Sequence, residues 1–128
     1  MAVELINAKQ VLAERLARDP AFRTKWERTA LARAISVALV KYRADHRLSQ
    51  RALAKLLGMP QSQIARLEIG ENNPSVEMLQ RLAKGMGQRF ILAIAPPDQT
   101  EELPLPEKAE VITDVTLADG TRLLAAVG

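Results

Sequence analysis

The side chains expected to face outward from residues 61–66 carry amide, hydroxyl and guanidinium groups. A glutamine amide matches the donor and acceptor that adenine presents in the major groove, and a guanidinium matches the two acceptors of guanine. A serine hydroxyl is short and discriminates weakly, so it suits a base or a phosphate equally. This chemistry favours the recognition of DNA, and the candidate contact residues are Gln61, Ser62, Gln63 and Arg66.

Two short helices joined by one tight turn are predicted to position these side chains. Ser49 is a favourable N-cap for the first helix. Gly58 stands where the chain reverses and takes a positive φ without cost, and Pro60 suits the start of the second helix. Apolar residues at helical spacing would pack the two helices together: Leu53, Ala54 and Leu57 on the first, Ile64 and Leu67 on the second. The pattern predicts a helix-turn-helix, whose second helix suits the major groove.

Basic residues are concentrated around the predicted helix-turn-helix. Residues 31–95 hold ten lysines and arginines against four acidic residues, whereas residues 96–128 hold two against seven. A basic surface supplies the salt-sensitive, sequence-independent part of affinity for DNA, although a solvated helix face has the same composition. Phosphate contacts are also expected from three polar residues outside the second helix: Gln50, Asn72 and Asn73.

The spacing of these residues resembles the repressor-type helix-turn-helix family, also called Cro/cI or XRE. Five residues stand at the family's positions: Gln50, Ala54, Gly58, Ile64 and Leu67. The flanking segments Leu-Glu-x-Gly at 67–70 and Asn-Pro-Ser at 73–75 agree as well. The resemblance implies an ion pair between Arg43 and Glu68 that ties a long helix to the recognition helix, with a structural role.

A second resemblance extends over residues 19–94. Asp-Pro-Ala-Phe-Arg-x-x-Trp at 19–26, a helix rich in leucine and alanine, the helix-turn-helix and Gly-x-x-Phe-x-Leu at 87–92 are together similar to HigA-type antitoxins. The resemblance implies an antitoxin that binds a RelE-like ribonuclease toxin and, as a dimer, represses its own operon by binding double-stranded operator DNA. Residues 96–128 lie outside this resemblance.

Two other functions stay open for this sequence. One is a stand-alone XRE-type transcriptional regulator whose C-terminal hairpin dimerises or senses a signal. The other is a protein-interaction module that sequesters a partner, with DNA binding secondary. A homodimer is expected because repressors of this type read two half-sites about one helical turn apart. The candidate dimer surfaces are the strand at 88–95, the C-terminal hairpin and the N-terminal helices that carry Phe22 and Trp26.

The expected fold is mainly α, a five- to six-helix bundle with a Cro/cI-type helix-turn-helix, followed by a short β-strand and a C-terminal β-hairpin. Asp119-Gly120 between apolar runs predicts the hairpin turn. An isolated hairpin is marginal in water, so it needs a partner: the strand at 88–95, a second subunit or another protein. The expected division is an N-terminal helical extension at 1–30, the DNA-binding domain with its trailing strand at 31–95, a linker rich in proline and acidic residues at 96–107 and the hairpin at 108–128.

Composition disfavours several other classes of protein. The chain has no cysteine and one histidine, and its six glycines are dispersed, so we expect no enzyme activity, no metal site and no cofactor. No run approaches the roughly 18 consecutive apolar residues of a membrane span, and no signal peptide is evident, so a cytoplasmic location is expected.

Overall fold

Six helices followed by three strands form the part of the chain that the computed structural model describes, residues 2–99 and 101–128. The helices α1 to α6 span Ala2–Arg18, Pro20–Arg28, Ala30–His46, Gln50–Leu57, Gln61–Ile69 and Val76–Met86. The strands β1 to β3 span Phe90–Ala95, Glu110–Thr116 and Arg122–Val127. The predicted fold class is confirmed, with α4 and α5 as the two helices of the helix-turn-helix.

Polar N-caps and left-handed C-caps set the limits of the short helices. Three N-cap side chains each accept a backbone N–H of the first turn at 3.0–3.1 Å: Asp19 for α2, Ser49 for α4 and Ser75 for α6. Each bond satisfies a donor that has no partner inside its helix. Gly58 ends α4 at φ +65°, a conformation that costs glycine little, and so allows the tight turn into α5.

The three strands form one antiparallel sheet in the order β1-β3-β2. Phe90 of β1 lies opposite Val127 of β3, and the hairpin turn between β2 and β3 contains Gly120 at φ +91°. The side chain of Asp119 accepts the N–H of Thr121 at 2.8 Å and so stabilises this turn. The hairpin was expected to need a partner, which could be the strand at 88–95, a second subunit or another protein. In the structure this partner is β1, which pairs with β3 of the hairpin.

The hydrophobic core lies among helices α3 to α6. Four of its side chains have no exposed surface: Leu39, Leu53, Ile64 and Leu82. Phe90 at the start of β1 packs against this cluster, and β2 and β3 both contact α3. The sheet is therefore attached to the helical domain along α3, which also contacts the recognition helix α5.

The division into four segments stays a prediction, and two of its residues, Met1 and Thr100, lie outside the described residues. In the described part of the predicted linker, Leu103, Leu105 and Pro106 are half-buried. None of the described helices is long and apolar enough to cross a membrane. The expected cytoplasmic location stays a prediction.

Candidate nucleic-acid interface

Helix α5 presents a polar outer face because its inner face is anchored in the core. Ile64 has no exposed surface, so it fixes the rotation of the helix about its own axis. Gln61, Ser62 and Arg66 are exposed, whereas Gln63 is half-buried beside them. The structure therefore brings the first three candidate contact residues together on one accessible surface and places Gln63 at its border.

Behind α5, the carboxylate of Glu68 joins three helices. Arg43 of α3 donates two hydrogen bonds to it, from Nε to Oε2 at 2.9 Å and from Nη2 to Oε1 at 2.7 Å. The Glu68 side chain is only 8% exposed, so its charge needs these partners. The hydrogen bonds to Glu68 raise the pKa of Arg43, which keeps the guanidinium charged. Because the bidentate geometry is directional, it fixes α5 relative to α3.

Gln50 at the start of α4 belongs to the same cluster. Its Nε2 donates to Glu68 Oε1 at 3.3 Å, and the residue is half-buried. The expected role for Gln50 was a phosphate contact alone, so this bond within the protein is an additional finding. An amide nitrogen has two N–H donors, and the second is compatible with a phosphate contact. That contact stays a prediction.

The end of α5 is held against α3 by a second contact. The hydroxyl of Ser36 donates to the backbone carbonyl of Glu68 at 2.5 Å. Gly70, at φ +74°, then ends α5 so close to α3 that a Cβ there would lie 3.4 Å from the Cβ of Ser36. These contacts satisfy a carbonyl that has no partner inside its helix and stabilise the position of the recognition helix.

Asn73 has a role within the fold in addition to the expected phosphate contact, which stays a prediction, because both polar atoms of its amide bond other residues of the chain. Its Oδ1 accepts the N–H of Ala32 at 3.0 Å, and its Nδ2 donates to the carbonyl of Arg28 at 2.7 Å. The residue therefore caps the start of α3 from the loop after α5. Asn72 beside it is exposed, and its phosphate contact stays a prediction.

Basic side chains surround the polar face of α5. Arg51 and Lys55 of α4 are exposed and, together with Ser49 and Gln61, line a shallow open depression between α4 and the start of α5. Arg47, just before α4, is also exposed. None of these cations forms a salt bridge with another described residue, so their charges face solvent. This arrangement suits contact with a polyanion.

The described residues contain no cluster of three or more histidine, cysteine or acidic side chains that would hold a metal ion. The single histidine, His46, is exposed and stacks on Tyr42 with a ring separation of 4.0 Å, and its Nδ1 lies 2.9 Å from the carbonyl oxygen of Tyr42. The surface around α5 is thus built from hydrogen-bonding and cationic groups.

Comparisons with known proteins agree with this geometry. A helix-turn-helix family model matches residues 39–90, from the second half of α3 to the start of β1. Antitoxin HigA1 of Mycobacterium tuberculosis, from strains CDC 1551 / Oshkosh and ATCC 25618 / H37Rv, is 32% identical over 90 residues. The match covers 70% of this chain and 60% of each antitoxin, and no solved structure matches. Residues 39–90 therefore form a helix-turn-helix domain of the repressor (XRE) type, in a chain whose sequence is similar to HigA-type antitoxins.

Proposed function

We propose that this protein is a sequence-specific DNA-binding antitoxin that represses its own operon and neutralises a RelE-like ribonuclease toxin. The observation that carries the DNA-binding part is the exposed polar face of α5, held in place by the bonds between Arg43 and Glu68. The similarity to antitoxin HigA1 supports the antitoxin part. The helix-turn-helix match and the antitoxin relatives point to a regulator rather than an enzyme.

On the operator, Gln61 and Arg66 are assigned to base edges. The amide of Gln61 bonds the N6 and N7 of an adenine, and the guanidinium of Arg66 bonds the O6 and N7 of a guanine or, in the alternative, a phosphate. Ser62 and Gln63 contact a base or the groove edge. Gln50 and Asn72 contact phosphates and so set the register of the helix in the groove.

A homodimer is part of this proposal. Repressor-type domains read two half-sites about 34 Å apart, and a single copy of α5 reads one of them. Two copies related by a two-fold axis therefore match a palindromic operator. The promoter of the protein's own operon is the first candidate for that operator.

The DNA-binding part is tested by fluorescence anisotropy on the promoter fragment and on a scrambled fragment at one salt concentration. Gln61→Ala combined with Arg66→Ala should weaken promoter binding by about 30-fold or more, since each good bidentate contact contributes about 1–3 kcal/mol of discrimination and the two are lost together. The matched control is Lys108→Ala, an exposed cation at the start of the predicted hairpin segment. Equal affinity of the wild type for both fragments would refute sequence-specific binding.

The antitoxin part is tested by co-expression with the product of the neighbouring gene. A small ribonuclease-like protein should co-purify with this chain, and its growth inhibition should disappear when both are expressed. The double variant Gln61→Ala, Arg66→Ala should still bind it, because the proposal separates DNA recognition from toxin binding. Failure of any neighbouring product to co-purify, together with retained promoter binding, would overturn the antitoxin assignment.

A stand-alone transcriptional regulator is the second candidate. One observation favours this function: β2 and β3 lie beyond the helix-turn-helix match, which ends at residue 90. In that case the C-terminal hairpin serves dimerisation or the sensing of a signal. Promoter binding without any co-purifying toxin is the outcome that selects this function.

A further inference from the structure

An open groove runs between α2 and the end of the recognition helix. Its volume is about 540 Å³, and residues of α1, α2 and α3 form one wall. The other wall is formed by Ile69, Gly70 and Glu71, where α5 ends. The next residue in the chain is the exposed Asn72, for which a phosphate contact is expected. The groove therefore adjoins the candidate DNA interface.

Cations line the α2 side of this groove. Arg15, Lys25 and Arg33 face it, and Arg28 is exposed on the same helix as Lys25, one turn further on. These four residues, the flank cations, form no salt bridge with any other described residue. Asp19 lies on the same wall, where its carboxylate caps α2. The wall thus carries an excess of positive charge that the described part of the chain does not pair.

Arg33 shows most clearly that this charge lacks an anionic partner. Its guanidinium lies 3.5 Å from the ring centre of Trp26, and its Nη1 donates to Oγ1 of Thr29 at 2.8 Å. Both partners are uncharged, and burial lowers the pKa of Arg33 because loss of water disfavours the charged form. A guanidinium has five N–H donors, and the described residues accept only one of them. The remaining donors suit an anion that enters the groove.

The end of α2 is fixed relative to the recognition helix. The side chain of Asn73 donates from Nδ2 to the carbonyl of Arg28 at 2.7 Å, so the last turn of α2 is bonded to the loop that follows α5. Lys25 lies three residues before Arg28, and residues at this spacing are neighbours on a helix surface. Asn72, Lys25 and Arg28 are thereby held at the same end of α5.

We propose that the flank cations bind backbone phosphates beside each half-site and so extend the DNA interface from α5 onto α2. The N-terminal residues of a recognition helix contact bases, so its other end leaves the groove beside the sugar-phosphate backbone. Duplex DNA carries one negative charge per about 1.7 Å of its axis, so several phosphates lie within reach of long basic side chains there. This inference rests on the DNA-binding part of the proposed function and adds a second, sequence-independent contact surface to it.

Two other roles for these cations lead to different results. Lys25 and Arg28 lie in the last turn of α2, where positive charge stabilises a helix through its dipole. That role alone would change the stability of the protein and leave DNA binding as it is. An acidic segment of a protein partner would also suit the groove. DNA is favoured because the groove continues the surface that begins at α5 and Asn72.

The salt dependence of DNA binding by the full chain tests the flank contact. Lys25→Gln combined with Arg28→Gln should lower the slope of log affinity against log salt concentration by about 2, about 1 for each lost phosphate contact. Affinity for the promoter fragment and for a scrambled fragment should fall by the same factor, since phosphate contacts carry no sequence information. Lys25→Arg combined with Arg28→Lys keeps both charges and should keep the slope.

The matched control removes the same charge from other places. Lys84→Gln combined with Lys108→Gln changes two exposed cations, one of them in the last turn of α6, and should leave the slope unchanged. Equal slopes for the wild type and for Lys25→Gln with Arg28→Gln would overturn the flank contact. So would loss of binding to a co-purifying protein partner with DNA binding retained, because the groove would then serve that partner.

The length of the DNA gives a second measurement. A duplex extended by about half a helical turn, roughly five base pairs, beyond each half-site should bind the wild type more tightly than a duplex that ends there. The gain should be absent from Lys25→Gln with Arg28→Gln, and an equal gain in both proteins would contradict the flank contact. If the wild type binds promoter and scrambled fragments equally, but the slope still falls in the variant, sequence-specific repression is refuted and the flank contact stands.

Discussion

At the scale of single residues, the recognition surface depends on side chains that lie behind the polar face of α5. Glu68 accepts hydrogen bonds from Arg43 and Gln50, and its backbone carbonyl accepts one from Ser36. Asn73 then fixes the loop after α5 to the start of α3. These bonds join α5 to α3 and α4, so the orientation of Gln61 and Arg66 is set by polar contacts on the far side of their helix.

Asn73 gives a prediction with a control beside it in sequence. Asn73→Ala removes the side-chain oxygen that accepts the backbone N–H of Ala32, and Ala32 is only 2% exposed. Because this N–H would lose its partner in a buried place, the free energy of unfolding should fall by about 1–2 kcal/mol. Asn72→Ala, on an exposed side chain, should change it by less than about 0.5 kcal/mol. Urea unfolding followed by circular dichroism measures both, and equal stabilities of the two variants would contradict the capping role.

The titration of Asp114 gives a prediction that depends on pH. Hydrogen bonds from Arg122, at 2.8 and 2.7 Å, lower the pKa of this carboxyl below its ordinary value of 3.8. The pair therefore stabilises the folded state at a pH above 3.8, and the contribution is lost as the pH falls through the lowered pKa. Carbon-detected NMR of the carboxyl should give a higher pKa in Arg122→Gln than in the wild type. An unchanged pKa would show that the hydrogen bonds from Arg122 do not lower the pKa of Asp114.

Some of these residue roles were predictable from sequence and others were not. The candidate contacts of α5 follow from helical spacing, because Ile64 and Leu67 define the buried side. The pair between Arg43 and Glu68 was expected only through the resemblance to the repressor family. The hydrogen bond from Ala32 to Asn73 joins residues 41 positions apart. No local sequence pattern therefore indicated the capping role of Asn73, and only a phosphate contact was expected of it.

At the scale of elements, α4 and α6 approach closely because α6 contains Gly85. A Cβ built on Gly85 would lie 2.1 Å from Cδ2 of Leu57, a side chain of the core cluster. Glycine is otherwise a poor residue for the interior of a helix, so its presence indicates that the lack of room for a side chain beside Leu57 favours glycine at residue 85. The contact holds the first helix of the motif against the helix that follows the recognition helix.

This contact predicts that an ordinarily favourable helix substitution is harmful here. Gly85→Ala should lower the free energy of unfolding by up to about 2 kcal/mol, because an overpacking cost of about 1–3 kcal/mol outweighs the gain of about 1 kcal/mol in helix propensity. Ala83→Gly on the same helix should show the propensity loss of about 1 kcal/mol without a clash. Thermal unfolding compares the two, and a Gly85→Ala protein more stable than the wild type would show that Leu57 moves aside at little cost.

The elements were more predictable than their arrangement. The N-cap Ser49 and the glycine at residue 58 marked limits of α4 that agree with the structure. Alternation and the Asp-Gly turn predicted the three strands. The order β1-β3-β2 was not predictable, because apolar alternation in each strand is compatible with several partners.

At the scale of the whole molecule, the C-terminal sheet completes the helical domain rather than forming a separate body. β3 is the only described strand that pairs with β1, and Leu124, Ala125, Ala126 and Val127 within it are all buried. The basic excess of residues 31–95 lies on the domain that carries α5, whereas the acidic excess lies in the C-terminal part. This charge separation favours approach of DNA from the side of the helix-turn-helix.

A truncation after residue 95 tests how far the sheet supports the domain. The truncated chain lacks β3, so β1 loses its partner and the melting temperature should fall by more than about 5 °C. Helical circular dichroism should persist at low temperature, since no residue of the core cluster lies beyond Phe90. An unchanged melting temperature would show that the sheet adds nothing to the stability of the helical domain.

Hydroxyl-radical footprinting of the promoter fragment tests recognition by α5, because it reports both the sequence that α5 reads and the symmetry of the assembly. Two protected half-sites are expected, with centres about 10–11 base pairs apart. Protection should disappear for the combined Gln61→Ala and Arg66→Ala variant at the same protein concentration, and persist for Lys108→Ala. Uniform protection along the fragment, or the same two half-sites in the combined variant, would contradict sequence-specific reading by α5.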